Sequence, residues 1–467
     1  MLNAVFVCKA YLAGAAFYRI AMPIEYPTFF HGPNINRLWI IAMLKDNNRA
    51  ETCWTFICYT VKVALFLVGP VVLGCGEPED AAQETTSVET DTNESEASSA
   101  SDMADTSSET DTEMVVDRCE QLGERIQALA QAHQQKYSLV GLSLSFATLG
   151  CEAKSWSWGI ADYHSEEPLR TEHLMRIGSV TKSYTAALML KLVEEGKVNL
   201  GDTLADWGWS FAASAEITIQ QLLNHTSGLR SYEKNADFIK AHEEDPAREW
   251  TAQELAEYSI ELEPVDEPGA RHVYANGNYI LASLVIEKAS GQSYGEALRS
   301  RIFQPAGLVH TYLEAAETWS DPFALGHVAQ GGSVIGDVTD LDHASQVGTA
   351  GAIVSTAGDL RSWMATLLTS DFLTETSQKA LQQWVPGVNG YDYGLGVLSL
   401  EWDEESSSCG HDGAAGGFRS SVFHHPKTES TIAIMQNQFS FSKAGHLLND
   451  SPTMLVAEVL QEIESGF

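Results

Sequence analysis

Positive charge is what this chain has least of. Its 467 residues carry 28 Lys and Arg against 63 Asp and Glu, a formal net charge of −35. No basic cluster interrupts that balance, so a nucleic-acid backbone, which needs Lys and Arg to displace its counterions, is excluded as a partner. Cysteines are also few, seven in all, with no Cys-x-x-Cys pair and no metal-ligand spacing. There is no His-Glu-x-x-His helix, and His424-His425 runs into Pro426 at a strand end. No metal and no cofactor is therefore expected. Nor is there a comfortable membrane span: "VALFLVGPVVL" at 63–73 falls short of the ~20 residues required. No internal repeat is evident.

The acidity is unevenly placed. Glu77 to Asp117 contains 14 acidic residues and no Lys or Arg, among Ser and Thr and almost no aromatics. Such a segment cannot bury enough apolar surface to offset its ordering entropy, so residues 76–117 are expected to form a disordered, self-repelling linker. Before it, the apolar run at 63–73 follows Lys62 and has the size of a signal-peptide core. Val72-Leu73-Gly74-Cys75 resembles a bacterial lipobox, which implies lipidation at Cys75, a membrane partner through that anchor, and a cell-envelope, periplasm-facing location. A plain secretion signal or a short anchor are the alternatives. Residues 1–60 fit this leader poorly, because a signal peptide normally opens a chain; the expected start lies downstream, near Met43 or Val61. Of the later cysteines, Cys119 and Cys151 suit either a disulfide or free thiols.

From about residue 118 the composition is ordinary, and overall 44% of the chain is apolar, enough for a substantial core. "CEQLGERIQALAQAHQQK" has helical apolar spacing, "LVGLSLSFATLG" alternates like a strand, and "CEAKSWSWGIADY" continues as a second strand past Gly150. Helical segments "TIQQLLNH", "NYILASLVIEKASG" and "AGDLRSWMATLL" follow. Strand-like "YGLGVLSL", "FRSSVFHH" and "STIAIMQN" come next, then a closing helix, "PTMLVAEVLQEI". This order predicts an α+β domain over 118–467, with an antiparallel sheet assembled from both chain ends, flanking helices and a mainly helical subdomain.

Within it, Ser179 stands three residues before Lys182. The pattern Ser-x-x-Lys also occurs at Ser231-Lys234 and Ser440-Lys443, so spacing alone does not choose. Context does. Ser179 falls where a loop gives way to the helix "YTAALMLKLVEEG", stopped by Gly196. Residues three apart share a helix face, so Lys182 lies beside the Ser179 hydroxyl. A serine is a weak nucleophile until a neighbour takes its proton, and a lysine does so only when burial or another cation depresses its pKa. The other two serines lack a helix start of this kind.

"LMRIGSVTKSYTAALMLKLVEEGKVNLGDTLADW" closely resembles the active-serine region of the serine β-lactamase and penicillin-binding-protein superfamily, in the branch of class C β-lactamases, D-Ala-D-Ala carboxypeptidases and esterases. "ITIQQLLNHTSGL" at 217–229, the Tyr274-Ala275-Asn276 element and "GHDGAAGGF" are similar to that branch's later motifs, in the same order. The resemblance covers about residues 120–465. It implies a β-lactamase/transpeptidase-like fold, Ser179 as acylated nucleophile, Lys182 as its base and Tyr274 as proton shuttle. It also implies that Asn276 hydrogen-bonds Lys182 and the substrate amide. The oxyanion hole would be the amides of Ser179 and Ala414, with Gly413 admitting substrate to the strand edge and His411 in the place of a strand lysine. The 217–229 block is read as shaping the wall. Taken singly, Tyr274 and Asn276 also suit a turn, and His411 a surface.

Two departures shape the expected substrate. His411 replaces the lysine of typical class C β-lactamases, as in carboxypeptidases and esterases of the branch. Asp412 replaces the hydroxyl that usually binds a substrate carboxylate and would repel it unless Arg419 or a charged His411 compensates. The expectation is an acylating serine hydrolase, with a D-Ala-D-Ala peptidoglycan peptide as leading substrate, and small esters, amides and β-lactams after it. A non-catalytic peptide-binding protein is the competing class.

Overall fold

In "GLSLSFAT" apolar residues alternate with small or hydroxylated ones. As strand β1 (Gly141–Thr148) this sends Leu142, Leu144 and Phe146 to one face and Ser143 and Ser145 to the other. The computed structural model describes residues 7–8, 20–21, 107–387, 390–401, 407–442 and 451–466. Cys75, the lipobox and the acidic segment before Ser107 lie outside the described residues.

β1 joins a nine-stranded antiparallel sheet with β2 (Cys151–Asp162), β3 (Glu167–Pro168), β4 (Val385–Pro386), β5 (Tyr391–Tyr393), β6 (Leu398–Glu401), β7 (Ser407–Ala415), β8 (Phe418–His425) and β9 (Ser430–Gln436). The order is β4-β5-β6-β7-β8-β9-β1-β2-β3. The sheet thus draws on both ends of the domain, as the element order predicts. β9 sets Ile432 opposite Phe146 and Ile434 opposite Leu144, so the two strands present one continuous apolar face. Helices α1 (Ser107–Tyr137) and α5 (Pro452–Gly466) cover that face with Leu122, Ile126, Leu455 and Val459. The opposite face, with Val422, Ala433 and Met435, belongs to a second core shared with α4 (Ala357–Thr369) through Leu360, Trp363 and Met364. Truncating one such buried leucine to alanine costs about 2–5 kcal/mol.

α1 starts at Ser107, inside the segment expected to be linker through 117. Backbone hydrogen bonds of a helix need no apolar side chains, so the helix extends into a stretch that composition alone reads as linker. Cys119 and Cys151 form a disulfide, tying α1 to the start of β2. "YGLGVLSL", expected as one strand, is a hairpin: β5 ends at Tyr393, the Gly394 amide bonds Val397 O at 2.8 Å, and β6 begins at Leu398. Gly396 permits the turn, with φ +73 and Lys182 O only 2.5 Å from where a Cβ would stand. The rest of the second core is mainly helical, built around α2 (Thr181–Glu194) and α3 (Asn276–Ser290). α2 is buried on nearly every side from Thr181 to Leu190, as its apolar composition requires. Among the described residues no helix is long and apolar enough to cross a membrane.

Candidate active site

Ser179 sits on the short turn Gly178–Val180 that leads into α2. Two backbone anchors fix the turn. The Ile177 amide donates to Ile353 O at 3.0 Å, and Ser420 Oγ donates to Ile177 O at 2.7 Å. Gly178 has φ +52, and a Cβ there would lie 2.4 Å from the Ala414 nitrogen. Only glycine lets the nucleophile's turn rest against the β7 backbone, and this brings the amide-bearing strands of Ser179 and Ala414 together. α2 has no side-chain cap; the Val180 amide bonds Ile177 O at 3.3 Å and the Thr181 amide bonds Gly178 O within the turn itself, so what the helix start adds beside Ser179 is the positive end of its dipole.

Lys182 lies one turn into that helix and is fully buried. Its Nζ donates to Ser179 Oγ at 3.0 Å and to Ala350 O at 2.9 Å. Burial pushes its pKa down to about 7, against the opposing pull of the Glu233 and Asp412 carboxylates. Near neutral pH a large fraction of Lys182 is therefore uncharged and free to accept a proton. The Tyr274 hydroxyl donates to Ser179 Oγ at 2.9 Å. Burial raises the Tyr274 phenol well above its ordinary value, only partly opposed by that hydrogen bond. Tyr274 is thus a neutral donor in the resting site, and Lys182 is the group able to take the serine proton. Lys182 Nζ also stands 4.8 Å from the Tyr274 ring centre, a cation–π distance that serves its charged form.

The remaining expected residues gather nearby, several in altered roles. Asn276 does not bond Lys182: its Nδ2 donates to Glu233 Oε1 at 2.5 Å, and its Oδ1 is buried without a hydrogen-bond partner. Glu233 has captured the amide, so its oxygen is the group left for a substrate N–H. Gly413 is needed by the chain itself, since a Cβ would meet Ile177 O at 1.9 Å and Ser420 Oγ at 2.7 Å. His411 is buried under the strand; Tyr393 Oη lies 2.9 Å from its Nε2, and Asp412 O lies 2.5 Å from its Nδ1. Burial pushes its pKa down to about 4, so at neutral pH it adds no positive charge beside Asp412. The Asp412 side chain itself is 61% exposed.

The 217–229 block forms the wall behind Tyr274. His225, at φ +59, packs its ring 4.3 Å from that of Tyr274 and 4.9 Å from that of Tyr393. Its Nδ1 accepts the Ala275 amide at 3.3 Å, and desolvation holds the imidazole neutral. Of the rival serines, Ser231 lies next to the site after all, but its Oγ accepts the Asn276 amide at 2.9 Å and donates to Glu233. Ser440 is buried in the strand Gln438–Phe441. Sequence reasoning missed Glu233, Ala350 and Tyr393; the carboxylate inside Ser231-x-Glu233 was the one visible signal. Among the described residues no group of three His, Cys, Asp or Glu is placed to hold a metal ion.

Known proteins resemble this chain in sequence and in fold. The Beta-lactamase family profile matches residues 126–451. A penicillin-binding protein of Bacillus subtilis (strain 168) is 29% identical over 302 residues, covering 60% of this chain and 64% of that protein. A D-aminopeptidase of Brucella anthropi is 29% identical over 289 residues, covering 60% of this chain and 52% of the other. The chain thus spans less than two thirds of these relatives' lengths. Among solved structures, D-amino acid amidase from Ochrobactrum anthropi SV3, complexed with D-phenylalanine, superimposes with TM-score 0.66 at 26% identity, over 74% of this chain and all of that one.

Proposed function

The chain belongs to the beta-lactamase family, and from that premise we propose that it cleaves amide bonds beside a D-configured residue by acylating Ser179. It is a serine hydrolase of the β-lactamase and penicillin-binding-protein superfamily. One observation carries the mechanism: Ser179 Oγ is hydrogen-bonded to both Lys182 Nζ, at 3.0 Å, and Tyr274 Oη, at 2.9 Å. Ser179 Oγ attacks the carbonyl carbon while its proton passes to neutral Lys182. The oxyanion forms between the Ser179 and Ala414 amides. Tyr274 gives its proton to the leaving amine and is reprotonated from Lys182. In deacylation, water attacks the acyl carbon as the same pair carries the proton back to Ser179.

For the substrate we favour a free ammonium group near the scissile carbonyl. Glu233 and Asp412 both act on Lys182 electrostatically, and burial holds His411 neutral, so two carboxylates border the reacting centre. A substrate ammonium is attracted there and a terminal carboxylate repelled. The relatives named D-aminopeptidase and D-amino acid amidase fit this choice. The D-Ala-D-Ala carboxypeptidase reading is the second, supported by the penicillin-binding relative. Rates on D-alanine p-nitroanilide, its N-acetyl derivative, a D-Ala-D-Ala-terminated peptide, a p-nitrophenyl ester and a chromogenic cephalosporin separate these readings. The free amine is expected to be fastest, and Glu233→Gln or Asp412→Asn to shrink its lead over the N-acetyl compound by roughly 10-fold or more, the worth of a charged hydrogen bond. A preference for the D-Ala-D-Ala peptide would transfer the conclusion to the carboxypeptidase. We also propose an envelope location with a lipid on Cys75, checked by labelled-palmitate incorporation that Cys75→Ser abolishes.

A further inference from the structure

A cavity of about 600 Å³ lies outside the site just described and contains none of Ser179, Lys182 or Tyr274. That volume lies in the range of small-molecule sites, roughly 300–1,000 Å³. Its apolar surface comes from Leu255, Ile280, Tyr294 and Leu313. Its charge is strongly one-sided. Glu317 is paired with Arg299 at 2.8 Å, and Glu314 with Arg176 at 2.6 Å. Glu249, Glu287 and Glu296 also line it, and none of them forms an ion pair among the described residues. Glu287 accepts the Tyr294 amide and Glu296 the Ser293 amide and hydroxyl, but none of the three has a cationic partner among those residues. Carboxylates of this kind over an apolar lining complement an organic cation with a hydrophobic body.

Two backbone features mark the wall as unusual. Ala315, which lines the cavity, is a non-glycine residue at φ +70. Arg299 opens a π-helical turn, Arg299–Phe303, of a kind that often accompanies functional sites. The cavity also shares a wall with the catalytic lysine. Thr349 and Ala352 line it, and Ala350 between them supplies the carbonyl held by Lys182 Nζ at 2.9 Å. Tyr294, on the cavity side, has its hydroxyl 2.7 Å from Thr185 Oγ1 of α2, which in turn donates to Thr349 O at 2.8 Å.

We propose that this cavity binds an organic ammonium ion with an apolar body, and that its occupancy is felt at Ser179 through the Gly348–Ala352 turn. The test uses 4-phenylbutylammonium as probe, with 4-phenylbutanol as its neutral counterpart, in calorimetric titrations of the full chain. Gly295→Trp fills the cavity: a Cβ there meets only ordinary contacts, Leu313 Cδ2 at 3.5 Å and Ala316 Cβ at 3.6 Å. Glu249→Gln changes an exposed rim residue with little risk to folding. The ammonium is expected to bind wild type more tightly than the alcohol. Glu249→Gln should weaken it about 2–5-fold, the scale of an exposed charge pair, and Gly295→Trp should abolish it. Saturating probe should also change the rate at which a fluorophosphonate labels Ser179 in wild type and leave Gly295→Trp unaffected. Equal binding of the alcohol, or binding that survives in both variants, overturns the site; binding with no change in labelling rate overturns its link to Ser179.

Discussion

Replacing Gly413 with alanine adds one methyl group where the chain has no room. The new Cβ would stand 1.9 Å from Ile177 O and 2.7 Å from Ser420 Oγ. Ile177 is the residue before Gly178, and Ser420 Oγ is the donor that fixes the Ile177 carbonyl. Both neighbours are therefore parts of the nucleophile's own mounting. A normal contact needs at least ~3.4 Å, so strand β7 and the Ser179 turn must separate by more than an ångström at this point. Overpacking of this kind costs roughly 1–3 kcal/mol of stability. The larger effect falls on catalysis: the Ser179 and Ala414 amides sit on the two backbones forced apart, and losing one oxyanion donor lowers kcat about 10²–10³-fold. Gly358→Ala is the control, because it lies in α4 and its nearest neighbour would be Thr356 Oγ1 at 3.8 Å. The assay is kcat on D-alanine p-nitroanilide alongside thermal melting. Gly413→Ala should lose at least 10²-fold in kcat and melt lower, while Gly358→Ala keeps full activity. Wild-type kcat in Gly413→Ala would refute the proposed mounting of the oxyanion site.

Other outcomes follow from the same geometry. The acylation rate should fall tenfold per pH unit below about 7, because only neutral Lys182 accepts the serine proton. Asp412 favours the charged lysine, so Asp412→Asn should move that midpoint to lower pH in a stopped-flow pH series. Tyr274→Phe should fold normally and lose about 10²–10⁴ in kcat, read from the same chromogenic assay, since it removes the proton donor to the leaving group. Replacing Cys119 and Cys151 by serine should reduce unfolding free energy by about 2–4 kcal/mol in urea titrations, with activity at 25 °C preserved, because the groups bonded to Ser179 and Lys182 come from other elements than the two the disulfide joins.

What the sequence reveals depends on how local the cause is. Ser179 and Lys182 are legible because a helix start and a three-residue spacing fix their relation, and Tyr274 because its motif is short and ordered along the chain. The sandwich of helices on a sheet is legible from the Leu/Ser alternation of β1 and the apolar spacing of the terminal helices. The partners of these residues are not legible. Ala350 reaches Lys182 from 168 positions away, and Glu233 reaches Asn276 across 43. Nothing near Ala350 announces its contact, and the Ser231-x-Glu233 carboxylate is the one local hint of the other. Gly413 and Gly178 stand out in sequence only as glycines, and the backbone each one admits becomes visible only when β7 and the nucleophile's turn are packed together. His411 occupies the expected motif position, yet its burial against Tyr393 makes it a support for the strand.

Formation of the acyl-enzyme on Ser179 is the step on which the proposed mechanism rests. It is tested most directly by peptide mass mapping after brief exposure to a fluorophosphonate or a slowly released penicillin at pH 8, where Lys182 is mostly neutral. A single adduct is expected on the peptide containing Ser179, lost in Ser179→Ala and kept in Ser231→Ala. An adduct on Ser231, or none on any serine under conditions where the folded protein is confirmed by its melting curve, would contradict it.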